Sequence, residues 1–268
     1  MSAKIIAVVN QKGGVGKTTT ACNLTRAAVA AGRRVLLLDC DPQGNATTAL
    51  TAEEFEDDQA GLADVLSARA DETIADVIVP GVWSGLDVVP TAGTALAAVR
   101  DELVVAQIGR EARLRKALAQ VRDNYDVIVI DTAPSIDSLT INALVAADAA
   151  AVVSECELFS LDGVVAVLGS IEQVRAHYNP GLVLGAILAN GKPARSREAD
   201  AGWAELQDAA AAQGWPLIPE PIPLRGFISS AVKNGEALDD LRGRDRTAAA
   251  TVATTYTRLL TTIEGAIR

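Results

Sequence analysis

The amino-acid sequence predicts an α/β protein, with a mostly parallel sheet and helices on both faces, in a single domain over residues 1–268. Three observations predict this class. Apolar, β-branched runs alternate with helix-prone segments along the whole chain, which is typical of a parallel sheet. A glycine-rich turn joins the first apolar run to a helix, and acidic residues directly follow two later runs. With 268 residues and 49% hydrophobic content, the chain is long enough to bury one large core.

The first half of the chain contains four predicted strands. A strand that is buried on both faces is a continuous apolar run rather than an alternating one. Gly32 is a stop signal for the first helix, which is rich in alanine. Region 51–76 is acidic and helix-prone, with a helical turn at 62–69. The predicted strands are 5–9, 35–38, 86–90 and 125–131, the first helix is 18–31, and 95–122 is rich in helix.

The second half continues the alternation without a repeat or a linker. A polar, basic loop at 190–197 follows the last predicted strand. Four prolines between 216 and 223 predict an ordered loop that crosses the site, not a domain boundary. The predicted strands are 149–153 and 182–188, and the predicted helices are 161–178, 198–212, 225–234 and 246–267.

The turn after the first strand has the composition of a phosphate-binding loop. Its backbone N–H groups and the positive end of the next helix converge on one point, which favours an anion. Lys17 would add positive charge at the outer phosphates, and the Thr18 hydroxyl would be a Mg²⁺ ligand. The pattern is unusual, because Gln11 stands where glycine is expected and a second lysine stands at the entrance. The loop residues are Lys12, Gly13, Gly14, Val15, Gly16, Lys17, Thr18 and Thr19.

Aspartates follow two of the predicted strands. Asp39 and Asp41 come at the end of the second strand, and Asp131 ends the fourth. Open α/β sheets bind ligands at the carboxyl ends of their strands. A strand-terminal aspartate that accompanies a phosphate loop orients Mg²⁺, commonly through water. The combination predicts a site for ATP or ADP with Mg²⁺.

Charge and cysteine content narrow the function classes. The formal net charge is −10, so any contact with DNA must come from a local basic patch. No apolar run approaches the length of a membrane span, and the first strand begins too early for a signal peptide. Cys22, Cys40 and Cys156 have no paired metal spacing, which favours reduced core thiols in a cytosolic protein.

Several of these segments resemble the ParA branch of the ParA/MinD deviant Walker ATPases. The likeness covers nearly the whole chain and is most specific in the first half. It rests on the phosphate loop at 12–20, on Leu-Leu-Asp-Cys-Asp-Pro-Gln-Gly-Asn at 37–45 and on Asp-Thr-Ala-Pro-Ser at 131–135. Segments 140–144 and 157–163 continue the match.

The resemblance implies a role for each matching residue. Lys12 would reach across an ATP-dependent homodimer to the partner's nucleotide, while Lys17 and Thr18 would hold phosphates and Mg²⁺. Asp41 would position the attacking water, Asp39 would support the Mg²⁺ shell, and Asp131 would be the Walker B acid. Phosphoryl transfer depends on positioning and charge neutralisation, so these roles suit the residue types.

The chain departs from the family pattern near the base-binding segment. Pro223 is retained as a contact on the adenine side, but Arg225 stands where an asparagine is usual. An arginine associated with DNA binding in relatives falls on Phe227, and another falls near Arg195 with the spacing shifted by one residue. The candidate DNA-binding residues are Lys192, Arg195, Arg197, Arg225, Lys233, Arg242 and Arg244.

The resemblance implies a weak ATPase that partitions DNA. ATP would close a homodimer, the homodimer would bind double-stranded DNA without sequence preference, and a ParB-like partner would stimulate hydrolysis. The protein would be cytoplasmic and nucleoid-associated, with no N-terminal helix-turn-helix domain and no membrane anchor. Alternatives are an ATPase that positions a protein cargo, a MinD-like membrane ATPase, an iron–sulfur carrier and a metabolic ligase. The missing paired cysteines disfavour the carrier.

Overall fold

The computed structural model describes residues 2–56, 58–106, 108–157 and 160–267. The strands, numbered in chain order, are β1 Lys4–Val9, β2 Val35–Cys40, β3 Val79–Pro80, β4 Leu86–Val89, β5 Val127–Thr132, β6 Ala149–Glu155 and β7 Val183–Asn190. They form one sheet in the order β3-β4-β2-β5-β1-β6-β7. All neighbours are parallel except β3 and β4, which are antiparallel. The predicted mostly parallel sheet is confirmed.

Helices connect the strands and cover both faces of the sheet. They are α1 Lys17–Ala30, α2 Asn45–Leu50, α3 Leu62–Leu66, α4 Gly93–Val105, α5 Arg113–Leu118, α6 Ser138–Ala146, α7 Ser160–His177, α8 Arg197–Gln213, α9 Gly226–Lys233 and α10 Arg246–Ala266. None of the described helices combines the length and the hydropathy of a membrane span.

The side chains of β1 show how the sheet makes two cores. Ile5, Ala7 and Val9 face one apolar cluster, which α3 to α8 cover. Ile6 and Val8 face the other cluster, which α1, α2, α9 and α10 cover. Successive strand residues point to opposite faces, so a strand between two helical layers must be apolar throughout. This explains the continuous apolar runs in the sequence.

Two elements of the fold were not predicted. Asn45–Leu50 forms a short helix, although its sequence is too polar to show an apolar stripe. Val79–Pro80 forms a two-residue antiparallel edge strand between the helix-prone region 51–76 and the predicted strand 86–90. The helix-rich region 95–122 contains most of α4 and all of α5. The motif segment 157–163 includes residues 158 and 159, which lie outside the described residues.

The proline-rich segment is an ordered loop that follows the outer edge of β7. The Ile218 N–H donates to the Ile187 carbonyl (2.9 Å), and the Ile222 N–H donates to the Ala189 carbonyl (2.8 Å). Isolated parallel bridges join Ile187 to Leu217 and Lys192 to Pro223. The loop therefore reaches the carboxyl end of the sheet at Pro223.

Candidate nucleotide-binding site

The phosphate loop lies at the centre of the carboxyl edge of the sheet, because β1 is flanked by β5 and β6. Gly14 and Gly16 have φ angles of 82° and 88°, which glycine adopts most readily. The Asn190 side-chain amide donates to the Val15 carbonyl (2.7 Å). A Cβ atom at Gly16 would overlap the Asn190 side-chain amide, which would have to move and weaken its bond to Val15, so this contact also favours glycine. α1 begins directly after Gly16, with its N-terminus at the loop.

The two lysines of the loop have different environments. Lys17 is 6% exposed, and its Nζ donates to the Lys12 carbonyl (3.1 Å). Burial lowers the pKa of Lys17, while the charges of Asp131 and Asp41 act in the opposite direction. The Lys12 side chain is 53% exposed and forms ion pairs with Glu155 and Glu157. Only Lys17 is therefore buried next to the aspartates.

Asp39 and Asp131 are register partners on β2 and β5, and both are fully buried. One Asp39 oxygen accepts hydrogen bonds from the Thr47 N–H (2.7 Å) and hydroxyl (2.8 Å). The other accepts from the Asp41 N–H (3.2 Å). Burial raises the pKa of Asp39 to about 6, although the bonds from Thr47 oppose this rise. Asp39 is thus tied to the start of α2.

Asp131 has no such bonds. Neither carboxylate oxygen has a hydrogen-bond partner among the described residues. The Thr18 hydroxyl is near enough to lower the pKa of Asp131, but its geometry is not that of a hydrogen bond. Burial, followed by the charge of Asp39, holds this pKa well above its usual range. A buried carboxylate without a partner is costly, and a divalent cation is the kind of group that would compensate it.

Asp41 lies at the start of the turn that leads from β2 to α2. It is 7% exposed, and its Oδ1 accepts a hydrogen bond from the Gln43 N–H (2.9 Å). The Gly44 N–H closes the turn on the Asp41 carbonyl (3.0 Å). Its charge acts on Lys17, Asp39 and Asp131, so all four groups share one electrostatic site.

A cavity of about 350 Å³ opens beside the phosphate loop. Pro223 and Arg225 line it, as the resemblance implies for the base-binding segment. Glu155, Glu157 and Asn190 line it as well. None of these three residues was predicted to line the site. Their positions at or just after the ends of β6 and β7 do not show that these strands lie next to the phosphate loop.

The basic residues that are candidates for DNA binding differ in whether their charge is free to contact phosphate. Lys192 forms an ion pair with Asp200, so its charge is already compensated. Arg195, Arg197, Arg225 and Lys233 are exposed and form no ion pair within the described ranges. The same holds for Arg242 and Arg244. Phe227 is partly buried against the core and offers no charge.

Magnesium and nucleotide phosphates fit the residues of this site. Mg²⁺ is usually held by one or two carboxylates together with substrate phosphates. Asp131 provides the unpartnered carboxylate, and Thr18 lies beside it. The loop and the N-terminus of α1 provide backbone donors for phosphate. The site therefore has the parts of a P-loop nucleotide hydrolase.

Comparisons with known proteins agree with this class. The AAA domain family model matches residues 3–184. The sporulation initiation inhibitor protein Soj of Bacillus subtilis is 44% identical over 193 residues, 72% of this chain and 74% of that protein. The chromosome partitioning protein ParA of Caulobacter vibrioides is 45% identical over 182 residues, 67% of this chain and 66% of that protein. The chain belongs to the ParA-type P-loop ATPases.

Several solved structures match almost the whole chain, and one of them is also similar in sequence. Cobyrinic acid a,c-diamide synthase from Mycobacterium smegmatis, with bound ADP and magnesium, has a TM-score of 0.76 and 30% identity. The match covers 97% of this chain and 93% of that one. The similarity confirms a P-loop fold throughout the chain.

Proposed function

We propose that this chain is a partition ATPase whose ATP-bound form pairs with a second copy and binds DNA. The observation that carries the proposal is the placement of the two lysines in one loop. Lys17 is buried beside the aspartates, whereas the side chain of Lys12 is half exposed and pairs with Glu155 and Glu157 instead of the aspartates. A lysine in that position is available to a nucleotide held by another copy, which is the role the family resemblance implies.

Several residues of one copy would each have a separate role in hydrolysis. Thr18 and Asp131 would hold Mg²⁺, which neutralises developing charge on the phosphates. Asp39 would fix the position of Asp41 through the bond to its N–H, and Asp41 would orient the attacking water. Lys12 from the second copy would add positive charge at the same phosphates. Hydrolysis would remove a phosphate that Lys12 contacts, and the pair would separate.

The DNA contacts would come from arginine and lysine side chains that form no ion pair among the described residues. Arg195, Arg197, Arg225 and Lys233 are exposed, and Arg225 lines the nucleotide cavity itself. Paired copies would double this set, which suits nucleoid association despite the net charge of −10. A ParB-like partner would accelerate hydrolysis and release the DNA.

Retention of the protein on random-sequence DNA tests the proposal. We expect retention with ATP but not with ADP, and a log–log salt slope of about −0.9 for each phosphate contact. Replacing both Arg195 and Arg197 by alanine should make the slope less negative. Lys192→Ala, which removes a lysine already paired with Asp200, is the control and should leave the slope unchanged. Absence of ATP-dependent retention at low salt would refute DNA binding.

The alternative, an ATPase that positions a protein cargo such as a microcompartment or a chemoreceptor cluster on the nucleoid, shares the ATP-dependent pairing. A ParB-like protein encoded by the neighbouring gene would favour DNA as the cargo, and an adaptor protein would favour a protein cargo. The similarity to the cobyrinic acid a,c-diamide synthase favours a third candidate, a ligase that consumes ATP on a small molecule. Particle mass separates it from the others. Asp41→Ala should form ATP-dependent pairs in a partition ATPase of either kind, and a ligase gives no such dependence on ATP.

A further inference from the structure

The Lys12 ammonium already has two carboxylate partners within its own chain. It lies 2.8 Å from Oε2 of Glu157 and forms a second ion pair with Glu155. Glu155 is the last residue of β6, and Glu157 follows it two residues later. The contact of the ammonium with Glu155, followed by the hydrogen bond that it donates to Glu157, raises the pKa of Lys12. The ammonium thus stays charged where it is held.

Hydrogen bonds fix the backbone of Lys12, whereas its side chain can change conformation once its ion pairs break. The Lys12 N–H donates to Asn10 Oδ1 (2.9 Å), and its carbonyl accepts the hydrogen bond from Lys17 Nζ (3.1 Å). The side chain is 53% exposed. Rotation among its staggered side-chain conformers can therefore carry the ammonium away from the two glutamates while the phosphate loop keeps its shape.

The two glutamates differ in their surroundings. The Glu157 side chain is 58% exposed, so water screens its charge. The Glu155 side chain is 23% exposed and lines both the nucleotide cavity and a second cavity, of about 230 Å³, beside Lys12. Within the part of the chain that the structure describes, Lys12 is the only base that pairs with Glu155. Departure of Lys12 would leave this carboxylate facing a nucleotide that is itself negative.

We propose that Glu155, together with Glu157, is a positioning residue that holds Lys12 against its own chain and thereby opposes the pairing of two copies. This inference rests on the proposed function, in which Lys12 reaches the nucleotide of a second copy. Pairing exchanges the two carboxylates for the phosphates of the partner's nucleotide. ATP carries one phosphate more than ADP and competes better for Lys12. The contact therefore sets a threshold that favours pairing with ATP over pairing with ADP.

The size of the threshold follows from ordinary ion-pair strengths. Loss of one partly exposed pair changes an equilibrium by about threefold. A dimer contains two copies of the contact, so losing both changes the dimer dissociation constant by about tenfold. Because exposed ion pairs are screened by salt, the change should shrink at high ionic strength.

Sedimentation of Glu155→Gln tests the role in pairing. Asp41→Ala is the parent, because we expect it to retain ATP without hydrolysing it. With ATP and Mg²⁺, the added Glu155→Gln should lower the dimer dissociation constant about tenfold at low salt. Glu205→Gln removes the same charge from an exposed position on α8, with no ion pair among the described residues, and should leave the constant unchanged. An unchanged or higher constant in Glu155→Gln overturns the proposal.

Reactivity of the Lys12 amine tests the contact without any pairing. In nucleotide-free protein, acetylation of Lys12 by an N-hydroxysuccinimide ester, followed by peptide mass spectrometry, should be about threefold faster in Glu155→Gln. It should be unchanged in Glu205→Gln. An unchanged rate in Glu155→Gln shows that the contact does not hold Lys12. If the rate rises but ATP pairs no copies even in the parent, the proposed function fails, and the restraint on pairing fails with it.

Discussion

Asp39 and Asp131 each lie one residue before the end of two neighbouring strands, yet their carboxylates have opposite surroundings. Both are fully buried and stand opposite each other in the β2–β5 register. Asp39 accepts three hydrogen bonds from Thr47 and Asp41. Asp131 accepts none within the described residues. We infer that Asp39 mainly shapes the turn that carries Asp41, whereas Asp131 is the carboxylate left available to a cation.

The largest expected effect comes from removing the ammonium group of Lys17, the buried positive charge near Asp131 and Asp41. Lys17→Ala should abolish nucleotide binding, because it deletes charge-assisted bonds to the phosphates, each of about 1.5–3 kcal/mol, and leaves the aspartates uncompensated. Binding of a fluorescent ATP analogue should weaken at least about a hundredfold if two such bonds are lost. Lys12→Ala, in the same loop, should bind ATP but fail to couple it to hydrolysis. Equal losses of binding in both variants would contradict the separation of roles.

The two aspartates should respond differently to replacement by asparagine. Asp131→Asn should raise the melting temperature of the nucleotide-free protein, because it removes a buried charge without a hydrogen-bond partner, and should lower Mg²⁺-dependent ATP affinity. Asp39→Asn also removes a buried charge, but it weakens bonds to Thr47 of about 1–3 kcal/mol, so it should raise the melting temperature less than Asp131→Asn does. Calorimetric melting with and without Mg²⁺ and ATP measures both. Equal shifts would show that the two carboxylates are equivalent.

The pH dependence of the free energy of unfolding should reflect the titration of Asp39 and Asp131. Burial raises the pKa of Asp39 from 3.8 to about 6 and holds the pKa of Asp131 well above 3.8. A carboxyl group with a raised pKa binds protons more tightly in the folded state, so this contribution to stability increases as the pH falls from 7 towards 4. It is lost as the pH rises through about 6.

Urea unfolding of the nucleotide-free protein at several pH values measures this slope. The double variant Asp39→Asn, Asp131→Asn should lose the slope, because neither site then titrates. An unaltered slope would assign the pH dependence to other groups.

The smallest expected effect concerns the hydroxyl that holds Asp39. Thr47→Val removes one donor to Asp39 Oδ2 and the acceptor of the Thr91 N–H, and it retains the shape of the side chain. It should reduce the free energy of unfolding by about 1–2 kcal/mol. Thr47→Ser retains the donor and is the matched control. Urea unfolding measures both, and equal losses would indicate that packing, not the hydrogen bond, is responsible.

The sequence was sufficient to predict the sheet and the placement of the three aspartates. Buried parallel strands must be continuously apolar, and the residues after them must lie at the carboxyl edge. Local patterns therefore located Asp39, Asp41 and Asp131. The difference between Asp39 and Asp131 was not predictable, because it depends on Thr47. The helix that carries Thr47 has no apolar stripe to mark it.

The partners of Lys12 were also beyond prediction. Glu155 and Glu157 are more than 140 residues away from it, and only the pairing of β1 with β6 brings them together. A glutamate at the end of a strand is common in protein sequences, and the residue that it contacts depends on which strand lies next to it. Lys192 shows the same limit, since its pairing with Asp200 is set by the turn into α8.

The loop beside β7 has a consequence for how copies of this chain can meet. Its backbone occupies hydrogen-bonding groups along the outer side of β7, and the opposite edge of the sheet is the two-residue strand β3, which contains Pro80. Covered or very short edges discourage strands from joining between molecules. Two copies are thereby steered away from adding their sheets end to end, the route that leads to open-ended aggregates. A reversible contact between two copies must therefore use side chains and the bound nucleotide, and hydrolysis of that nucleotide can end the contact.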